Sequence, residues 1–324
     1  MLKKVYPNIY VNEIPLPNNP LKALNSYIIV SDDNSLIIDT GFNLKECKDA
    51  LMQGIKELNI DLKKTNLFIT HLHSDHSGLA YDLAKEGVKV YASKIDGKMI
   101  NDSIKDEFWE FYDSYIKLFG LEQDNMLLSD NPGYRYTQEN PVDFIIVGEG
   151  YKFLVGDYSF EVVDIPGHTP GQIGLYEKNH KLFFCGDHIL DRITPNIAFW
   201  GFEQDILAVY FRNLRKVYEY DIDYLFTSHR NIITDHRKRI DELLEHHEHR
   251  LDEILNIIKN KKMTPRDIAA NMHWDIRAKD WDDFPRPQKW FAVGEAVSHL
   301  EHLWSTGKIQ KFNENGVLYY ELKK

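Results

Sequence analysis

The chain has 324 residues, 43% of them hydrophobic, 13% aromatic and 27% charged, which is length for about two domains and apolar material for a sizeable core. Its formal net charge of -11 repels polyanions at long range, which disfavours a nucleic-acid partner, and no run approaches the roughly 20 apolar residues that span a bilayer. Cys47 and Cys185 are too few for a disulfide framework or a thiolate zinc site, and read as buried, reduced thiols of a cytoplasmic protein.

Met1 to Pro7 has a basic pair with no apolar segment behind it, so it reads as a first strand and not as a signal peptide. Asn25 to Val30 and Ser35 to Ile38 are apolar runs separated by Ser31-Asp32-Asp33-Asn34, the pattern of a β-hairpin, and the second run ends in Asp39-Thr40-Gly41. Asn43 is placed to cap a helix that runs to about Leu58, with Leu51, Ile55 and Leu58 on one face. Leu67 to Thr70 is a short strand leading straight into a histidine cluster. A helix from Leu79 to Lys85 and a strand from Val88 to Tyr91 follow.

From about residue 95 to 128 the pattern turns helical and aromatic, with Phe108, Trp109, Phe111, Tyr112, Tyr115 and Phe119. This insertion reads either as a helical pair covering the sheet edge or as a lid or wall of a substrate pocket. Strands resume at 144–147, 158–165, 173–176 and 182–185, a helix spans about 204–220, and 224–226 is a last short strand. A long helix from about Asp235 to Asn260 carries His246-His247-Glu248-His249, whose helical spacing fans the side chains around a solvated surface.

Residues 1–245 thus form the larger unit and 246–324 a smaller second one. Thr264-Pro265 is a helix start, with the hydroxyl at the N-cap and proline at the first helical position. A further helix runs from about Phe291 to Trp304 and stops at Gly307. Two strands, Lys308 to Phe312 and Val317 to Leu322, are joined through Asn315-Gly316, a strong hairpin signal. Helix, helix, hairpin is the order of a winged helix-like α+β domain.

Chemistry concentrates in Thr70-His71-Leu72-His73-Ser74-Asp75-His76-Ser77-Gly78. Residues two apart on an extended segment point the same way, so His71 and His73 can grip one cation together. Asp75 and His76 follow where the chain turns into a helix and can face a neighbouring point. Imidazole with carboxylate and no thiolate suits zinc, and also iron or manganese. Three more ligand-type residues stand where apolar strands end: His168 in Pro166-Gly167-His168, Asp187 in Cys185-Gly186-Asp187, and His229 in Thr227-Ser228-His229-Arg230. In layered α/β folds that edge is where sites are built.

His-x-His-x-Asp-His followed by a distant His, Asp and His resembles the metallo-β-lactamase superfamily over about the first 235 residues, with a glyoxalase II-like dinuclear ligand set. The resemblance implies an α/β fold, a four-layer αββα sandwich, for residues 1–245. It implies two Zn2+ per chain, with Fe or Mn as alternatives. His71, His73 and His168 would hold one ion, Asp75, His76 and His229 the other, with Asp187 between them and Asp39 in support. Flavodiiron proteins carry Glu where His73 stands, and the commonest true β-lactamases carry Cys where Asp187 stands, so this chain departs from both.

The implied reaction is metal-assisted hydrolysis, in which two cations lower the pKa of a bridging water to about 7 and Asp75 is the catalytic carboxylate. Acyl bonds of a small molecule (a thioester, ester or lactone) are the expected substrates; single-stranded RNA cleavage is the alternative. The second helix of the C-terminal unit carries Glu295 and Glu301 and few cations, which favours a packing module, or one half of a homodimer, over a phosphate clamp. His188 and Arg230, beside two of the ligands, are expected to hydrogen-bond structurally or to touch substrate.

Overall fold

The computed structural model describes residues 2–323. Seven strands, β1 (Leu2–Tyr6), β2 (Ile9–Pro15), β3 (Ala23–Val30), β4 (Ser35–Ile38), β5 (Thr65–Phe68), β6 (Lys89–Ala92) and β7 (Ile145–Ile146), form the first sheet in chain order. A second sheet of five carries β8 (Lys152–Val155), β9 (Tyr158–Asp164), β10 (Ile173–Glu177), β11 (Leu182–Phe184) and β12 (Tyr224–Phe226). The hairpins pair antiparallel. β4, β5 and β6 pair parallel, because each connection between them crosses over through helix.

Period-two alternation sorts the side chains into layers. Tyr27, Ile29, Leu36, Ile38 and Phe68 of the first sheet pack against Phe160, Val162, Leu175, Phe184 and Phe226 of the second. Their neighbours Ile28, Ile37 and Leu67 face the other way, onto helices α1 (Lys45–Glu57), α2 (Ser74–Ser77), α3 (Ala80–Lys85) and α4 (Lys94–Asp102). Val163 and Phe183 point out of the second sheet onto the remaining helices. These are α5 (Phe111–Phe119), α7 (Ile206–Tyr218), α8 (His236–Ile257), α9 (Pro265–Asn271) and α10 (Arg286–Ser305), while α6 (Pro132–Arg135) lies beside α2, its Pro132 carbonyl accepting from Ser74 Oγ. The order helix, sheet, sheet, helix is the αββα sandwich.

The C-terminal hairpin, β13 (Ile309–Glu314) and β14 (Val317–Leu322), turns through Asn315 at φ 55° and Gly316 at φ 86°, the two positive φ values that Asn-Gly supplies. Thr264 caps α9 by accepting from the Asp267 amide. Leu300 and Leu303 of α10 and Tyr320 of β14 enter the same buried cluster as Leu207 of α7 and Leu243 of α8, so residues 246–324 share a core with the second sheet's outer face.

Four local expectations require correction. Asn43 is not a helix cap: α1 starts after Leu44, and the Asn43 amide donates to the Thr137 carbonyl instead. The aromatic insertion is helical but interrupted. It holds two short helices, α4 and α5, parted by a 3-10 turn that carries Phe108 and Trp109, while Phe111, Tyr115 and Phe119 line one face of α5. Only two residues of the 144–147 run pair as a strand. The His246–His249 run is not wholly a solvated face, since His247 is buried and its Nδ1 lies 3.0 Å from His299 Nε2 on α10.

Candidate metal centre

The loops after β5, β9, β11 and β12 bring all seven predicted ligand-type residues to one place. Strand β5 ends at Phe68, and the extended step to His73 precedes α2, which carries Asp75 and His76. Gly78 permits this turn: a Cβ there would meet three backbone atoms, Ser74 O at 2.5 Å, Asn43 N at 2.6 Å and Gly41 O at 2.7 Å.

The donors fall into overlapping groups: His71, His73 and His168; His71, His76 and Asp187; Asp75, His76 and His229. In the first, His73 Nδ1 is 3.1 Å from His71 Nε2 and 3.0 Å from His168 Nε2, with the three rings within 13° of perpendicular. Nitrogens around a tetrahedral zinc with bonds of 2.0–2.1 Å stand about 3.3 Å apart, close to this spacing. In the second half, His229 Nε2 lies 3.5 Å from Asp75 Oδ2 and 3.5 Å from Asp187 Oδ2. His76 Nε2 lies 3.6 Å from Asp187 Oδ1, and His168 Nε2 lies 3.8 Å from Asp187 Oδ2, so Asp187 stands between the halves. These are too long for hydrogen bonds.

Around the cluster, the far nitrogen of each buried imidazole is held. Asp39 Oδ2 accepts from His76 Nδ1 at 2.7 Å and from Thr70 Oγ1 at 2.7 Å, while Asp39 Oδ1 accepts from the Thr70 amide. Thr70 Oγ1 in turn takes the His71 Nδ1 proton at 3.0 Å. His168 Nδ1 donates to the Asn196 carbonyl and His229 Nδ1 to the Ala23 carbonyl, each at 2.7 Å. Every one of these bonds puts the proton on Nδ1 and leaves the Nε2 lone pair facing the cluster, the tautomer a metal ligand needs.

The donor set fits a pair of divalent cations. His76 Nε2, His229 Nε2 and Asp187 Oδ1 are buried with no hydrogen-bond partner among the described residues. Such groups cost roughly 1–3 kcal/mol each when left unsatisfied, and a cation among them supplies the partner. Titration follows the same logic. Burial, reinforced by neighbouring imidazoles, pushes His71 well below its usual range and His73 to about 3. Burial also disfavours charge on His76 and His229, but the carboxylates outweigh it: Asp39, Asp75 and Asp187 raise His76, and Asp187 with Asp75 raises His229 to about 9.

Asp96 is a residue that motif reading missed. It is 1% exposed, and it accepts from the Leu72 amide at 3.0 Å, from Thr169 Oγ1 at 2.6 Å and from the Gly171 amide at 2.8 Å. It therefore ties the loop of His71 and His73 to the loop of His168. Its only sequence signal is the Ser93 cap of α4, whose hydroxyl accepts from the Asp96 amide.

His73, Asp75, His168 and Asp187 open onto a cleft of about 2010 Å³. Phe108, Trp109, Phe111 and Tyr115 of the insertion line it, as do Phe199 and Trp200, so the insertion is a wall of the cleft. Trp200 donates its indole N–H to the His168 carbonyl at 3.0 Å. Of the two flanking residues, Arg230 lines the cleft. His188 does neither thing expected of it: its ring is fully buried, both nitrogens lack a hydrogen-bond partner among the described residues, and it packs edge-on against Tyr210.

Comparison with known proteins agrees with this geometry. Residues 21–229 match the model of the metallo-beta-lactamase superfamily, and residues 251–323 match that of the metallo-beta-lactamase-like C-terminal domain. Hydroxyacylglutathione hydrolase GloC of Haemophilus influenzae is 32% identical over 165 residues, which cover 50% of this chain and 65% of that protein. An acyl-coenzyme A thioesterase of Homo sapiens is 26% identical over 176 residues, covering 52% of this chain and 58% of the relative. The chain therefore spans less than two thirds of the length of either relative. A metallo-beta-lactamase family protein from Thermus thermophilus superposes with a TM-score of 0.84 at 22% identity, over 99% of this chain and 100% of that one, which establishes the shared fold. From the match over residues 21–229, the sandwich and the ligand-bearing loops, the chain belongs to the metallo-β-lactamase superfamily.

Proposed function

We propose that this protein is a dinuclear metal-dependent hydrolase of small-molecule acyl bonds, with thioesters ahead of esters and lactones. The observation that carries the reading is the seven-donor cluster at the floor of an aromatic-walled cleft. His71, His73 and His168 would hold one ion, Asp75, His76 and His229 the other, with Asp187 shared. Zinc suits this nitrogen and oxygen set, and iron or manganese is compatible with it. When bound, two such ions act as Lewis acids and acidify water to a pKa of about 7.

The protein's own groups supply the rest. Asp75 faces both His76 and the cleft. Burial opposes its charge, but His76 and His229 hold its carboxyl below the usual range, so it is ionised at neutral pH. From there it orients the attacking water, accepts its proton and delivers it to the departing thiol. Trp109, Phe111 and Tyr115 line an apolar surface for the acyl chain.

Relatives that hydrolyse a hydroxyacylglutathione and an acyl-coenzyme A support a thioester. RNA cleavage finds no support in α10. Its buried residues run almost throughout its length, Glu295 and Glu301 among them, so the winged helix-like unit reads as a packing module. The test is a set of initial rates for metal-reconstituted protein on a hydroxyacylglutathione, an acyl-coenzyme A, a lactone and a single-stranded RNA oligonucleotide. Acyl turnover lost on Asp75→Ala is expected. RNA cleavage with the same dependence overturns the substrate class.

A further inference from the structure

The C-terminal unit reaches the metal cluster through one buried carboxylate. Glu295 lies in the middle of α10 and is 5% exposed. Its Oε2 accepts from Asn196 Nδ2 at 2.7 Å, and Asn196 also donates to the Phe291 carbonyl at 3.3 Å. The Asn196 carbonyl is the acceptor that holds His168 Nδ1 at 2.7 Å, and His168 Nε2 meets His73 Nδ1 at 3.0 Å. A continuous line thus runs from α10 into the cluster: the Glu295 carboxylate holds the Asn196 side chain, and the Asn196 main-chain carbonyl holds the His168 ring.

Asn196 sits in the irregular stretch between β11 and α7, where no ladder of backbone hydrogen bonds fixes the direction of its carbonyl. Helix α10 comes close enough to this stretch that a Cβ at Gly294 would stand 3.5 Å from the Phe199 amide nitrogen. On the far side Glu295 faces Arg250 of α8, with Oε1 3.5 Å from Nε. Arg250 is anchored by its bond to the His273 carbonyl and its stacking on Trp274 at 4.3 Å. A carboxylate is costly to bury; this one accepts a hydrogen bond at Oε2 and has the Arg250 charge beside Oε1.

We infer that Glu295 is a positioning residue for the metal centre, acting through Asn196 to fix the tautomer and direction of His168. The inference rests on the proposed ligand role of His168. Outer partners of metal-bound histidines change metal affinity by about 10–100-fold when removed, and Glu295 stands one bond further out, on a different structural unit. Its action is specific to the half of the centre that contains His168. The other half is held by Asp39 and by the Ala23 carbonyl, neither of which touches α10.

The test is stepwise cobalt(II) titration of the full-length, metal-stripped chain, read by visible absorption and by competition with a chelator. Glu295→Ala is expected to weaken one of the two cobalt sites about 10-fold while the other stays within about threefold. Glu295→Gln, whose amide oxygen can still accept from Asn196, is expected to restore the affinity, and Asn196→Ala combined with Glu295→Ala to be no worse than either alone. Equal weakening of both sites, or an affinity for both unchanged by Glu295→Ala, overturns the inference and leaves the ligand assignment standing. An unsubstituted chain that binds no cobalt overturns the assignment itself. Should Glu295→Ala not fold, Asn196→Ala with wild-type affinity at both sites refutes the proposal equally.

Discussion

Replacing Asp39 by Asn changes one buried oxygen into an NH2 group and almost nothing else. Asp39 adopts φ 60°, a conformation that Asn tolerates as well as Asp, so the backbone has no reason to move. What changes is the direction of two hydrogen bonds. Asp39 Oδ2 accepts from both His76 Nδ1 and Thr70 Oγ1, and Thr70 Oγ1 relays the effect to His71 Nδ1. If the Asn oxygen stays on the Thr70 amide, its NH2 donates toward His76 and Thr70. His76 must then carry its proton on Nε2, the atom that faces Asp187 across 3.6 Å. That proton blocks one lone pair of the cluster. Loss of such a partner lowers metal affinity about 10–100-fold, or roughly 1.4–2.7 kcal/mol. The assay is zinc competition with a chromophoric chelator at neutral pH, with circular dichroism confirming the fold. An Asp39→Asn chain whose zinc affinity stays within twofold of wild type refutes this reasoning about tautomers.

Gly78→Ala places a Cβ within 2.7 Å of three backbone atoms, none of which can rotate away; a loss of about 2–3 kcal/mol in urea unfolding is expected, and an unchanged midpoint would contradict it. Burial holds His247 well below its usual range and His299 at about 3, so both are neutral in the fold. As pH falls below about 6.5 the unfolded chain binds protons that the folded chain does not, and stability is lost at about 1.4 kcal/mol per pH unit per histidine. His299→Phe should therefore shrink the stability loss between pH 7 and pH 5 by about 2 kcal/mol; an identical pH dependence sinks the argument. Trp109→Ala removes part of the cleft wall some distance from the ligands and is expected to raise KM for a long-chain acyl thioester several-fold more than for a short one, with kcat little altered. Equal effects on both substrates would take the insertion out of the acyl pocket.

Much of the centre was legible because its donors stand at strand ends within short motifs. His71, His73, Asp75 and His76 come from one segment of six residues, and His168, Asp187 and His229 each follow an apolar run that forms a strand as predicted. Asp39 was visible only through the resemblance. Asp96 was hidden because its partners, Leu72, Thr169 and Gly171, are 24, 73 and 75 residues away, and no periodicity records a contact of that range. The same holds for His247. Helical spacing spreads His246 to His249 around α8, but it does not say that α10 will bring His299 against one of them. In the insertion the helical pattern was legible at α5, where Phe111, Tyr115 and Phe119 meet at i, i+4, whereas the 3-10 turn of Phe108 and Trp109 depends on the assembled cleft.

The most direct test of the dinuclear proposal is anomalous diffraction at the zinc edge from crystals of the zinc-reconstituted chain. The expected result is two peaks, one among His71, His73 and His168 and one among Asp75, His76 and His229, with Asp187 between them. A single peak among the first three would reduce the centre to one metal, and no peak at the cluster would contradict the metal-dependent chemistry proposed for this protein.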